Sequence, residues 1–194
     1  QWLDCGCHCT YFERNKIMSD KLHKIKTFQF KAKDIELKAI KHYASMSEET
    51  YCYEANLYVL GVKVGRVSNR GHGGGDDWDG DGKGLNYSWL SELEIWCKKT
   101  LPKWHSKWDD SWNQQSFEVW CHGQVEKHID EKEFNKAMKK TLFIDPSQPK
   151  SISYFKAKPT KENLDVLKKR NPKYIFLHDM IKAQAFKTFM ENAG

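Results

Sequence analysis

The residues most able to do chemistry lie in one run, Gly71-His72-Gly73-Gly74-Gly75-Asp76-Asp77-Trp78-Asp79-Gly80-Asp81-Gly82. Within it, Asp77-x-Asp79-x-Asp81-Gly82 sets carboxylates at alternate positions and ends on a glycine that permits a sharp turn. Calcium loops gather hard oxygen ligands in this way. Acids this close repel one another, and a divalent cation relieves the repulsion. Asp77, Asp79 and Asp81 are therefore the candidate metal ligands, with Ca2+ or Mg2+ as the ion. Two departures from the EF-hand pattern weaken the expected affinity. Ser88 stands where the closing bidentate carboxylate belongs, and glycines rather than a helix precede Asp77. The competing reading is an exposed acidic loop with no ion.

His72 is the only base beside these acids, so a metal-dependent phosphoesterase or nuclease would draw on His72 and Asp76–Asp81. The glycines before Asp76 also suit an anion cradled by backbone amides, but no Gly-Lys-Ser/Thr follows to make a phosphate loop. Cys121-His122 and His128 fall on an expected helix, where neighbours in sequence face different ways, and they are read as structural. No mutually oriented catalytic set emerges.

Around the acidic run, the pattern predicts α+β architecture. An antiparallel three-stranded meander comes first, from Ile35–Met46, Tyr51–Leu60 and Lys63–Ser68, where apolar and polar residues alternate. Asn69–Asn86 is expected as a loop, since no packed element tolerates that much glycine and aspartate. Ser88–Thr100 reads as a helix stopped by Pro102. A further helix begins near Ser116, and Asp130-Glu131-Lys132-Glu133 resembles a capping box that opens another. A small C-terminal β-α unit follows: strands at Leu142–Ile144, Ile152–Phe155 and Tyr174–Leu177, a short helix capped by Thr160, and a last helix with Ile181, Ala185, Phe186, Phe189 and Met190 along one stripe.

Residues 1–17 do not read like the remainder. Met18-Ser19-Asp20-Lys21 resembles a translational start, so 1–17 is expected to be an upstream leader and 18–194 a single compact domain. The alternative for the leader is a zinc site at Cys5-Gly6-Cys7-His8-Cys9, whose spacing is too tight for one tetrahedral ion. Cys52, Cys97 and Cys121 are an odd, scattered set, expected as reduced core thiols in a cytoplasm. No apolar stretch is long enough to span a bilayer.

The formal net charge is +6, which suits an acidic partner such as nucleic acid or a complex that carries it. Lysine supplies most of that charge, so a solvated surface is the competing reading, and a nucleic-acid partner would be met through its phosphates. Trp104 and Trp108, interleaved with Lys103 and Lys107, are candidates for stacking on bases, with Arg70 and His72 as further binding residues.

Tyr53-Glu54-Ala55-Asn56-Leu57-Tyr58-Val59, then Gly61, Lys63-Val64-Gly65 and Val67-Ser68-Asn69-Arg70-Gly71-His72-Gly73-Gly74, resemble a hairpin and loop of uncharacterised bacteriophage and prophage accessory proteins. Lys173-Tyr174-Ile175-Phe176-Leu177-His178-Asp179 resembles the tail of the same group. The resemblance implies a phage accessory protein in the host cytoplasm. In that setting the expected role is binding, with inhibition of a host defence complex in the manner of anti-CRISPR proteins as one form of it and a host protein or protein–nucleic acid complex as target. The acidic run is not part of the resemblance.

Overall fold

A computed structural model describes residues 7–82, 85–105 and 110–192, with side chains from Glu13 onward. The chain divides into two compact units, residues 1–125 and 126–194.

The first unit begins with helix α1 (Cys7–Lys26), so the expected boundary at Met18 falls inside a helix. Side chains from Glu13 to Asp20 are exposed, and Ile25 is fully buried. The side chains of Cys7, His8 and Cys9, and all of Cys5, lie outside the described residues.

The antiparallel meander has four strands rather than three: β1 (Ile35–His42), β2 (Cys52–Val59), β3 (Val62–Arg70) and β4 (Asp77–Gly80), in that order across the sheet. Alternation sets its buried face. Tyr53, Ala55, Leu57 and Val59 of β2 are buried at period two, and Val62, Val64 and Val67 of β3 are buried with them, the alternation of β3 shifting by one where the register slips between Lys63 and Gly65.

The fourth strand lies inside the segment expected to be a loop. Its one apolar residue, Trp78, supplies the reason. Trp78 pairs with Val67 in register and is buried. Its ring lies over Gly65, where an added Cβ would stand 2.7 Å from Trp78 Cζ2 and 2.6 Å from the Asp79 carbonyl oxygen. Absence of a side chain at Gly65 thus makes room for the indole, and burial of the indole fixes a strand that glycine and aspartate alone would not favour.

Helix α2 (Tyr87–Thr100) is capped by Asn86, whose side chain accepts from the amides of Ser88 and Trp89; Ser88 itself is the second residue of the helix. Trp89, Leu93 and Cys97 form its buried face. Trp89 stacks on Phe28 at 5.6 Å and donates from Nε1 to the Ile25 carbonyl at 3.3 Å, which ties α2 to the end of α1. A two-stranded ribbon, β5 (Trp104–His105) with β6 (Trp112–Asn113), follows.

Helix α3 (Phe117–Ala137) is continuous through Asp130–Glu133, where a new start had been expected. No glycine or proline stands between Gln124 and Ala137, and glutamate and lysine propagate a helix well. The division between the two units falls within α3.

In the second unit β7 (Thr141–Ile144) lies between β8 (Ile152–Phe155) and β9 (Ile175–Phe176), antiparallel to both. Helix α4 (Lys161–Arg170), capped by Thr160, joins β8 to β9, and α5 (Lys182–Asn192) closes the chain. Phe134, Leu142, Ile144, Leu177 and Ala185 form its core, with Phe186 and Phe189 packed against it. Ile181, expected on that stripe, is 74% exposed, because the helix begins one residue later. Phe143 stacks against both Phe155 and Tyr174, each 4.5 Å away, and those two rings are 6.5 Å apart. Among the described residues no helix is long and apolar enough to cross a membrane.

Candidate metal centre

Asn69, at the end of β3, is 3% exposed, and a buried amide needs partners for both its ends. Its oxygen accepts from Thr50 Oγ1 at 2.9 Å and from the Gly71 amide at 2.8 Å. Its Nδ2 donates to the Gly74 carbonyl at 2.9 Å and to Asp76 Oδ1 at 3.0 Å. One side chain therefore shapes the Gly71–Gly75 turn and delivers Asp76 to a fixed place. Gly71 itself has φ +87, and its carbonyl accepts from the amides of Glu48 and Glu49 at 2.9 and 3.0 Å, which fastens the β1–β2 connection to the turn.

The Asp76 side chain is only 6% exposed. Tyr53 donates to its Oδ2 at 2.6 Å, and His122 Nε2 lies 3.3 Å from its Oδ1. On the first turns of α3, Glu118 and His122 are four residues apart and share a helix face. The Phe117 amide donates to Glu94 Oε2 at 2.7 Å, so α2 supplies the acceptor for an otherwise unpaired amide at the start of α3.

The result is a group of three potential ligands, Asp76, Glu118 and His122, whose donor atoms all lie within 4.8 Å of one another. It is the group able to hold a metal ion among the described residues. A ligating imidazole is neutral, so an ion bound here displaces the proton that the His122–Asp76 pair favours. Burial and the nearby negative charge of Asp76 push the Glu118 carboxyl above its ordinary range, and His122 opposes them. The hydrogen bond to Asp76 raises the His122 imidazole, against the effect of burial. Two carboxylates in mutual repulsion with an imidazole beside them form a set that a divalent ion relieves.

A pocket of about 270 Å³ opens on the group, with Val67, Trp78, Leu90 and Phe117 as apolar walls and Asp76 and Glu118 on the polar side. Asp77 and Glu94 also line it. Each has a cation in reach: Arg70 Nε is 3.6 Å from Asp77 and Lys98 Nζ is 3.1 Å from Glu94.

Of the site residues singled out in the sequence, Asp76 of the hydrolase alternative belongs to this group and the others do not. Asp77 and Asp79 lie on the extended strand β4, not on a curled loop, and both are exposed, as is Asp81. His72 is exposed and lies 3.0 Å from Glu48, away from the acids expected to need it. Arg70 reaches Asp77. Lys103 is exposed and Trp104 half-buried in the ribbon; Lys107 and Trp108 lie outside the described residues. His122, read as structural, belongs to the group instead. Its neighbour Cys121 is fully buried, with a thiol pushed well up by burial, so it stays a neutral core residue. Cys52, Cys97 and Cys121 are all free and buried, and burial raises Cys97 to about 12.

No family model, curated protein or solved structure matches the chain, so the site stands on its own chemistry.

Proposed function

We propose that the first unit is a divalent-metal-dependent hydrolase centred on Asp76, Glu118 and His122. The observation that carries the reading is the convergence of two carboxylates and one imidazole, with both carboxylates lining a pocket and Asp76 held by buried partners. Three protein ligands with an open position are the arrangement of catalytic rather than structural metal sites. Tyr53 and Asn69 orient Asp76 as outer partners orient a ligand. The imidazole favours a first-row transition ion such as Zn2+ or Mn2+ over Ca2+ and Mg2+, which prefer oxygen alone.

An ion held there supplies a Lewis acid and an acidified water. With it in place the local charges nearly balance, since Asp77 and Glu94 already have Arg70 and Lys98. The pocket then admits a singly charged phosphodiester, and that is the substrate class proposed. Hydrolysis of bis(p-nitrophenyl) phosphate with Mn2+ or Zn2+ tests it. The expected rate is chelator-sensitive and falls about a hundredfold or more in Glu118→Gln and His122→Ala. A rate indifferent to chelator and to both substitutions overturns the hydrolase.

A second reading, an accessory protein that inhibits a host protein–nucleic acid complex by binding, is favoured by one observation. Residues 126–194 hold fifteen Lys and Arg against nine Asp and Glu, while residues 1–125 hold seventeen of each. The whole excess of +6 therefore belongs to the second unit.

A further inference from the structure

We infer that the β8 edge of the second unit binds single-stranded nucleic acid through its phosphates and one stacked base. The inference gives the binding reading its point of contact and does not depend on the metal centre.

Charge is the first ground. From Pro146 to Lys161 the chain carries Lys150, Lys156, Lys158 and Lys161 and no acid. All four lysines are exposed, and none forms an ion pair among the described residues. They flank β8, an edge strand that pairs only with β7. Lysines that merely protect a sheet edge from pairing would look similar, but two further features point to a ligand.

Tyr154, in the middle of β8, is 50% exposed, and Lys140 Nζ stands 3.8 Å from its ring centroid. A groove of about 340 Å³ opens beside that ring, lined by Lys140, Leu142, Ile152, Tyr154, Phe189 and Asn192. An accessible aromatic with a cation over it, and a groove lined by apolar side chains and an amide, suit a nucleobase. Lysines before and after the strand suit the phosphates on either side. Unpaired bases are needed to enter such a groove, which selects a single strand over a duplex. Lysine in place of arginine suits contact that follows the backbone without reading sequence.

The test is fluorescence anisotropy of the full chain, in EDTA, with a labelled oligothymidine and with a duplex of equal length. The expected result is saturable binding to the single strand, weaker binding to the duplex, and a salt slope near −3, about 0.7 for each of four phosphates. Lys156→Glu with Lys158→Glu should weaken it about tenfold or more. Tyr154→Ala should weaken it about tenfold for the single strand alone. Lys31→Glu with Lys33→Glu, the same charge change in the first unit, should leave it within about twofold. Circular dichroism and melting temperature confirm folding, and Lys150→Gln with Lys158→Gln serves should the reversal disturb it. No binding at low salt, equal loss in the two charge pairs, or preference for the duplex each overturns the inference. Because chelator is present throughout, failure here leaves the metal centre untouched, and loss of hydrolysis leaves this surface untouched.

Discussion

Replacing Asp76 by alanine should destabilise the first unit by about 3 kcal/mol, even with chelator present. The carboxylate is buried and serves three neighbours at once: the Tyr53 hydroxyl, the Asn69 amide and the His122 ring. Its removal leaves the Tyr53 and Asn69 donors buried without an acceptor, at about 1–3 kcal/mol for each such group. Burial above all, with the charge of Asp76, holds the Tyr53 phenol far above its usual range, so the phenol remains a donor. Asp76→Asn keeps an acceptor for Tyr53 and should cost only about 1 kcal/mol. Urea unfolding followed by tryptophan fluorescence measures this in the full chain. All eight tryptophans fall in residues 1–125, so the signal reports on the first unit and ignores the second. A loss below about 1 kcal/mol in the alanine variant would mean that Asp76 does not organise the turn.

Gly65→Val should have a comparable effect by another route. A Cβ there would collide with the Trp78 indole and with the Asp79 backbone, and neither can step aside without parting β4 from β3. Overpacking of a tight site costs about 1–3 kcal/mol and occasionally more; with backbone involved, about 3 kcal/mol is expected by the same unfolding measurement. The consequence for the site is larger. Asp76 directly precedes β4, so a displaced strand carries the ligand away from Glu118 and His122, and metal binding should be lost while the helices persist. By contrast, Gly82→Ala meets no neighbour within 4 Å but sits at φ +67. Its effect should be confined to local strain of about 1 kcal/mol.

Much of the sheet was legible in the sequence because alternation is a local signal. Tyr53, Ala55, Leu57 and Val59 declare a face with no help from the rest of the chain. Strand β4 was not legible, since four residues with one apolar side chain carry no period. Only the juxtaposition of Gly65 and Trp78 makes it a strand, and that is a tertiary fact. The continuity of α3 was hidden for the opposite reason, because acids beside lysine mark helix starts and helix interiors alike. The candidate centre was half visible. Asp76 stood in the acidic run but was passed over for its neighbours with calcium-loop spacing. Glu118 and His122 were present as a pair four apart, a spacing too common to single out. What joins them to Asp76 is the buried Asn69, whose four hydrogen bonds fold the glycine turn back toward α3.

Calorimetric titration of the chelator-stripped full chain with Zn2+, Mn2+, Ca2+ and Mg2+ tests the metal centre most directly. One ion per chain is expected, with Zn2+ or Mn2+ bound more tightly than Ca2+ or Mg2+. Binding should be abolished in His122→Ala and Glu118→Gln and unchanged in Asp79→Asn. Absence of saturable binding, or binding that survives His122→Ala and disappears in Asp79→Asn, would contradict the centre and return the acidic strand to the place of ligand.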